Sequence, residues 1–245
     1  PFQSNLTFGA IILVLFIPII GLIYTGIRLL FEVKSNIRHF RMSLTVLWIV
    51  SIGVLSFTSV MLGIEFRDEA SIIDYVEINP NTEMLRIEVL NDDVFSNKID
   101  RSNNHDLANL IDVKDHSIYL GYPKLIIVES SKDSTYKVEV HRSSRGINEK
   151  EAIMNSELMK YECKVENGVL NLGAYMSISS DEKFRGQELE VLVRVPEGKS
   201  VLLGENIERV LQPIAGTNKE HQKRQLFSNT VWKNDSNKMI FMDEK

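Results

Sequence analysis

The 245 residues carry 28 Lys/Arg against 33 Asp/Glu, a net charge of −5, and one cysteine, Cys163, which excludes an internal disulfide. The charge is unevenly placed: residues 1–63 hold Arg28, Lys34, Arg38 and Arg41 against Glu32, net +3, leaving −8 on the other 182 residues. An acidic exterior repels phosphate backbones, so no nucleic-acid partner is expected for that larger part.

Pro1 rather than Met opens the chain, and an upstream segment is expected from it. Leu6 to Ile27 then runs 22 residues without a charge. As a helix it measures roughly 33 Å, enough for a ~30 Å hydrocarbon core. Met42 to Ile64 is a second uncharged run, of 23 residues. One apolar stretch could be a signal peptide; two of full length predict a transmembrane hairpin over 1–65, with helices at about 6–30 and 42–64. The connection 31–41 carries Lys34, Arg38 and Arg41, whereas Glu65-Phe66-Arg67-Asp68-Glu69 after the second helix is net acidic. Basic residues in short loops stay cytoplasmic, which puts loop 31–41 inside and the large C-terminal part outside. Pro18 removes a backbone donor and is expected to loosen the first helix. Gly21/Thr25 and Ser59/Gly63 are small-xxx-small pairs of the kind that let helices approach, and they allow a homo-oligomer through the membrane helices. No acid, Lys or His lies deep in either span, which argues against an ion pathway made by this hairpin alone.

Residues 66–82 read as a linker and 83–245 as a β-rich domain. Leu85, Ile87 and Val89 alternate with Arg86 and Glu88; Tyr136, Val138 and Val140 alternate with Lys137, Glu139 and His141; Leu189, Val191, Val193 and Val195 form one face of a further strand opposite Glu190 and Arg194. Such alternation marks strands with one buried and one wet face. Leu125-Ile126-Ile127-Val128 lacks it and predicts a strand covered on both faces. Asn148 to Lys160 reads as a short helix with Asn148 as N-cap and an apolar stripe of Ala152, Ile153, Met154 and Leu158. Asn167-Gly168 between Tyr161–Val165 and Val169–Leu172 signals a hairpin, and Pro196-Glu197-Gly198 a tight turn. Ser96–Asp106 and Gly216–Ser228 read as polar loops.

Residues able to do chemistry form no constellation. His39, His105, His116, His141 and His221 are scattered without a pair at i, i+2 or i, i+4, so no zinc site is indicated. Asn91-Asp92-Asp93 lacks the spaced acids of a calcium loop. Cys163 shares a face with Tyr161 and Val165, as a core residue does. Arg142-Ser143-Ser144-Arg145-Gly146 raises an anion site or serine nucleophile, yet no Gly-x-Ser-x-Gly elbow is present and Gly146 marks a strand-to-helix turn. The catalytic, cofactor and metal sets are therefore all expected to be empty.

In order, these features resemble the C-terminal part of Bacteroidetes-type phage shock protein C (PspC) domain proteins. The similar stretches are Phe16-Ile17-Pro18-Ile19-Ile20-Gly21-Leu22-Ile23-Tyr24-Thr25-Gly26-Ile27 followed by Leu29-Leu30-Phe31 and the basic loop, His141-Arg142-Ser143-Ser144-Arg145-Gly146 ahead of a helix, Phe184-Arg185-Gly186-Gln187 before a strand, Val195-Pro196-Glu197-Gly198 with Leu202-Leu203, and Trp232. The resemblance implies a membrane helical hairpin followed by a mainly-β extracytoplasmic domain of the toastrack kind, stacked and solenoid-like, with one short helix. It further implies a non-enzymatic envelope-stress component in the bacterial cytoplasmic (inner) membrane, with the lipid bilayer and other membrane or periplasmic proteins as partners. A membrane-anchored adhesin-like or cell-wall-binding module is the alternative, and a membrane-bound hydrolase a distant third.

Overall fold

The computed structural model describes residues 2–31, 38–90, 111–114, 116–212, 214 and 228–242. They form two units, 1–66 and 67–245. The first is a pair of helices, α1 (Phe2–Phe31) and α2 (Arg38–Glu65). Apolar spans of membrane length occupy Thr7–Ile27 and Met42–Glu65.

The helices meet along a narrow seam, while most apolar side chains, such as Leu22, Leu30 and Phe57, face outward. Ala10 and Ile17 are buried on α1, and Ser51 and Thr58 on α2. Both pairs are seven residues apart, the repeat of antiparallel helices packed side by side. Small side chains at the seam let the backbones approach, and their hydroxyls are satisfied within the helix: Ser51 Oγ donates to Leu47 O at 2.8 Å and Thr58 Oγ1 to Val54 O at 3.0 Å. Of the small residues singled out from the sequence, Thr25, Ser59 and Gly63 are exposed instead. A four-residue spacing does not say which side of a helix faces its neighbour, and the seam runs one position away from Ser59.

The second unit begins sooner than expected. The stretch read as a linker, 66–82, contains β1 (Asp68–Val76), a nine-residue strand, and the domain starts at Arg67. Its alternation is blurred because β1 is an edge strand whose core-facing row (Ala70, Ile72, Asp74, Val76) includes an acid, Asp74, paired with Arg142 at 2.5 Å. The other strands are β2 (Met84–Val89), β3 (Ile111–Lys114), β4 (Ser117–Leu120), β5 (Lys124–Ser130), β6 (Lys137–Gly146), β7 (Cys163–Glu166), β8 (Val169–Leu172), β9 (Met176–Ser179), β10 (Glu188–Pro196), β11 (Ser200–Leu203), β12 (Thr230–Asp235) and β13 (Lys238–Met242). One α-helix, α3 (Glu149–Glu157), and a 3₁₀ turn at Ile207–Arg209 complete the described elements.

Three open sheets result, of order β1-β6-β10-β5, β13-β12-β11-β2-β8-β7 and β3-β4-β9. Strand β2 lies between two parallel neighbours distant in sequence, β11 and β8. Parallel neighbours need long crossovers, so the chain winds from sheet to sheet rather than running as a meander. One apolar cluster joins all three sheets through Leu85 and Ile87, Val138 and Val191, and Leu120 and Ile178. Tyr136 adds a polar tie: its Oη lies 2.5 Å from Ser200 O and 2.9 Å from Glu83 O, and burial pushes its pKa up to about 12.

The local signals hold. Asn167 and Gly168 both have positive φ, 53° and 79°, the geometry of a type I′ turn joining β7 to β8. Gly198 (φ 83°) lets Lys199 N reach Pro196 O at 3.2 Å. Asn148 Oδ1 accepts from Glu151 N at 2.9 Å and starts α3. Two readings need correction. Helix α3 buries Ala152 and Ser156, while Met154 and Leu158 are exposed, because a short helix lying over a corner hides a narrow strip of two small residues. Strand β5 is fully buried on one face, at Leu125 and Ile127, whereas Ile126 and Val128 are half-buried on the other. The expected loop at 96–106 lies outside the described residues, as does that at 216–228 except for Ser228, a turn residue.

Candidate functional site

The polar corner comes first, because the sequence pointed at it. Arg142 to Gly146 end β6 and turn into α3. Arg142 Nη1 donates to Met159 O at 2.9 Å while Nη2 holds Asp74. Ser144, fully buried, donates to Arg185 O at 3.3 Å, and Arg145 N donates to the same oxygen at 2.9 Å. Arg185 N in turn donates to Gln187 Oε1 at 2.8 Å. The segments His141–Gly146 and Phe184–Gln187, far apart in sequence, therefore lock together. Gly146 is required by close approach: a Cβ there would fall 2.6 Å from Ala152 N. These residues hold a corner, and the Ser144 hydroxyl is spent on the Arg185 carbonyl.

The other candidates are dispersed. Burial pushes the Cys163 thiol up to about 12 and also raises the neighbouring Tyr161 hydroxyl, so neither is poised to react; Cys163 itself is half-buried. His116 occupies the β3–β4 turn at φ 61°. His105, His221 and Asn91-Asp92-Asp93 lie outside the described residues, as does the side chain of His39. Among the described residues no group of three or more His, Cys, Asp and Glu is placed to hold a metal ion.

What is assembled is a surface. The core-facing side of the four-stranded sheet presents Val138, Val140, Val191, Val193, Leu125 and Ile127. Register places the alternate residues on the opposite side in rows: Tyr75, Glu139, Leu192 and Ile126 lie abreast, as do Ile73, His141, Glu190 and Lys124. Tyr75 is 70% exposed and Ile73 43%; Leu192, Ile126 and Val128 are half-buried by their neighbours. At its centre Glu139 Oε2 pairs with His141 Nε2 at 2.9 Å, and Glu139 Oε1 accepts from Arg194 Nε at 3.1 Å. The bond from His141, and after it that from Arg194, holds the Glu139 carboxyl below its usual range. Lys124 bonds Glu188 at 2.6 Å at one end, which raises its pKa. The result is an apolar floor around a polar centre whose charged groups are bonded to one another. The apolar run of β5 was the sequence signal for it. Arg194 and Glu139 carried no separable signal, since alternate charged residues are what any wet strand face shows.

A second feature lies in the helical unit. Without an N–H at Pro18, the carbonyl of Val14 loses the helical donor four residues on. Trp48 Nε1 on α2 donates to that oxygen at 3.2 Å. A carbonyl exposed by proline inside the hydrocarbon region is thus satisfied by the neighbouring helix.

Two family models match the chain: one described as the PspC transmembrane region over residues 2–66, and one described as the ToastRack found in some PspC over residues 110–242. Strands β1 and β2 fall outside both matched ranges, although β2 is central to the six-stranded sheet. No curated protein and no solved structure matches the chain. Both apolar helices fall within the first matched range and the strands from β3 to β13 within the second, and the chain is a membrane protein that belongs to the PspC family, carrying its transmembrane region and its toast-rack domain.

Proposed function

We propose that this chain is a non-enzymatic envelope-stress component of the phage-shock type. In this reading it is anchored in the cytoplasmic membrane with its β domain on the outer side, and the domain binds a protein partner over the outer face of its four-stranded sheet. The observation that carries the reading is that face: Ile73, Tyr75, Ile126, Val128 and Leu192 form an apolar floor on the wet side of the sheet around the partnered Glu139. Apolar residues grouped on a domain surface mark contact sites, and here Ile73 and Tyr75 are exposed beside the half-buried Ile126, Val128 and Leu192. The family supports the stress-response class, and the polar corner supports a non-catalytic role, because Arg142, Ser144 and Arg185 are bonded to backbone and to each other. The orientation rests on the basic stretch 28–41 against the acidic flank after α2.

A photo-crosslinking residue at Tyr75 or Leu192, with one at Glu197 on the β10–β11 turn as control, tests the surface in intact cells. A discrete adduct from the first two and none from the control is expected; adducts from Glu197 alone would overturn the assignment. Orientation is read separately from the single substitutions Ser35→Cys and Ser131→Cys in a Cys163→Ser background. An impermeant thiol reagent should label the Ser131→Cys protein and spare the Ser35→Cys protein, and the opposite pattern reverses the topology.

A further inference from the structure

The four-stranded sheet ends in two lateral edges that differ. On β5, Leu125 N donates to Val210 O at 2.7 Å and Gln212 N to Leu125 O at 2.8 Å, so residues 210–212 close that side. On β1, among the described residues, no backbone hydrogen bond arrives from beyond the sheet. The opening shows in its core-facing row. Ala70 and Val76 are half-buried, while Ser144 and Val138, their partners across the ladder, are buried. Strand β1 is nine residues long, against four in the edge strands β3, β7 and β9 and five in β13.

Which groups this edge offers follows from alternation. Arg145 N donates away from β1, to Arg185 O at 2.9 Å on the side where β10 begins. Successive residues of a strand turn their N–H and C=O to opposite edges, so the even-numbered residues of β6 face β1 and the even-numbered residues of β1 answer them. Glu69, Ser71, Ile73 and Tyr75 therefore turn both backbone groups to the open side. Natural edges are guarded by Pro, Lys, a bulge, shortness or an inward charge. Strand β1 has no Pro or Lys and pairs with β6 residue for residue without a bulge. Its inward acids, Asp68 and Asp74, are neutralised by Arg67 and Arg142 of the same chain.

Such a row of donors and acceptors is met by another extended backbone, and the sequence of β1 fits its own copy. Antiparallel pairing centred on Ile72 sets Glu69 opposite the second copy's Tyr75 and Ser71 opposite its Ile73, and the reverse. Every open residue of both copies then exchanges both of its bonds. In this register Asp68 lies across from Val76, Asp74 across from Ala70, and Arg67 across from Glu77 at both ends. Neighbouring registers oppose like charges, which is destabilising. A centre at Ser71 sets Asp68 against Asp74, one at Ile73 sets Glu69 against Glu77, and one at Asp74 sets that residue against itself.

We propose that β1 pairs with β1 of a second copy in the Ile72-centred register, merging two four-stranded sheets into one continuous sheet of eight. The two Asp68 ends then stand about 27 Å apart, more than the roughly 20–24 Å across a pair of helices, so two membrane anchors can share one bilayer. The inference concerns the edge of the sheet and does not depend on what binds its outer face.

Single cysteines in full-length Cys163→Ser protein, reconstituted into phosphatidylcholine vesicles and oxidised with copper phenanthroline, read the register. Ile72 lies on the twofold axis, where opposed Cα atoms are about 4.5 Å apart, within disulfide range. Ile72→Cys is expected to give a disulfide-linked dimer on a non-reducing gel. Asp74→Cys, roughly 14 Å from its counterpart, is expected to give none. Ser71→Cys and Ile73→Cys proteins provide a second reading that leaves Ile72 in place. Mixed in one vesicle they should crosslink across a pair about 5.5 Å apart, whereas each alone, about 8 Å from its counterpart, should not. Ser71→Pro removes an N–H of the open side and none from the ladder to β6. It should abolish the Ile72→Cys dimer while the β-sheet circular dichroism stays unchanged. Absence of crosslinks in both readings, a dimer from Asp74→Cys, or an Ile72→Cys dimer that survives Ser71→Pro would each overturn the proposal.

Discussion

Replacing Trp48 by Phe keeps an aromatic ring at the seam of the hairpin and removes the indole N–H that reaches Val14 O. In hydrocarbon no water replaces it, so a carbonyl already deprived of its helical donor by Pro18 loses its donor on α2 as well. Orphaned polar groups cost about 1–3 kcal/mol in proteins, and measured interhelical hydrogen bonds in membranes average ~0.6 with a maximum near 1.7. Trp48→Phe should therefore destabilise the hairpin by about 1–2 kcal/mol, part of which is lost ring area. Pro18→Ala separates the parts: the alanine backbone restores an N–H to Val14 O, and in that background Trp48→Phe should cost only the area. The cycle isolates a coupling of about 1 kcal/mol. Dyes on cysteines at Phe8 and Phe57, both lipid-facing, with Cys163→Ser, would report helix separation by energy transfer as dodecyl maltoside micelles are titrated with dodecyl sulfate. Additive single and double substitutions, with coupling below about 0.3 kcal/mol, would refute the argument that Trp48 completes the proline-broken helix.

Three further outcomes concern the domain 67–245. Val191→Asp should lower its urea midpoint by the equivalent of at least ~3 kcal/mol or abolish folding, because Val191 is fully buried between Val140 and Leu125, and a lone carboxylate there is charged without a partner or forced neutral. An unchanged midpoint would refute the register of β10. Gly146→Ala should cost about 1–3 kcal/mol, since the new methyl meets backbone of α3 that cannot turn aside; a neutral effect would show that the corner is slack. Glu139 titrates lower in the fold than in the unfolded chain, so its contribution is complete above an ordinary glutamate pKa of ~4.3 and is lost as pH falls below that through the folded value. Glu139→Gln should flatten the decline of stability below about pH 4.3, seen in urea midpoints at stepped pH; parallel curves for the two proteins would refute the pairing with His141 and Arg194.

Both membrane spans are legible in the sequence because a bilayer forces an unambiguous pattern, some twenty residues without charge. The strands of β6 and β10 are equally plain: one face meets a core and the other meets water, so Val138, Val140, Val191 and Val193 alternate with polar residues. The Asn167-Gly168 and Pro196–Gly198 turns are dictated locally by backbone torsions that few residue types adopt. Edge strands escape this logic. Strand β1 meets the core through Ile72 and Val76 while placing Asp74 in the same row, because Arg142 arrives from β6 to neutralise it. Nothing between residues 66 and 82 announces that partner. The same holds for the run at 125–128, apolar on both sides although only Leu125 and Ile127 are fully buried: a buried face and a half-buried one carry the same residue types.

What tertiary structure alone decides is which distant groups meet. Local sequence states that Pro18 leaves a carbonyl bare, and the structure states that Trp48, 34 residues along from Val14, donates to it. Composition places Arg142–Gly146 at a turn, and packing brings Arg185 to accept from both Ser144 and Arg145, converting a suggestive cluster into a scaffold corner. Glu139, His141 and Arg194 become one bonded group only when β10 aligns against β6. Hydrophobic periodicity encodes the solvent each side chain meets, which is a property of one strand or helix. Pairing between elements depends on register and crossover, set by the sum of many weak contacts across the whole core, and no short stretch of this sequence contains that sum.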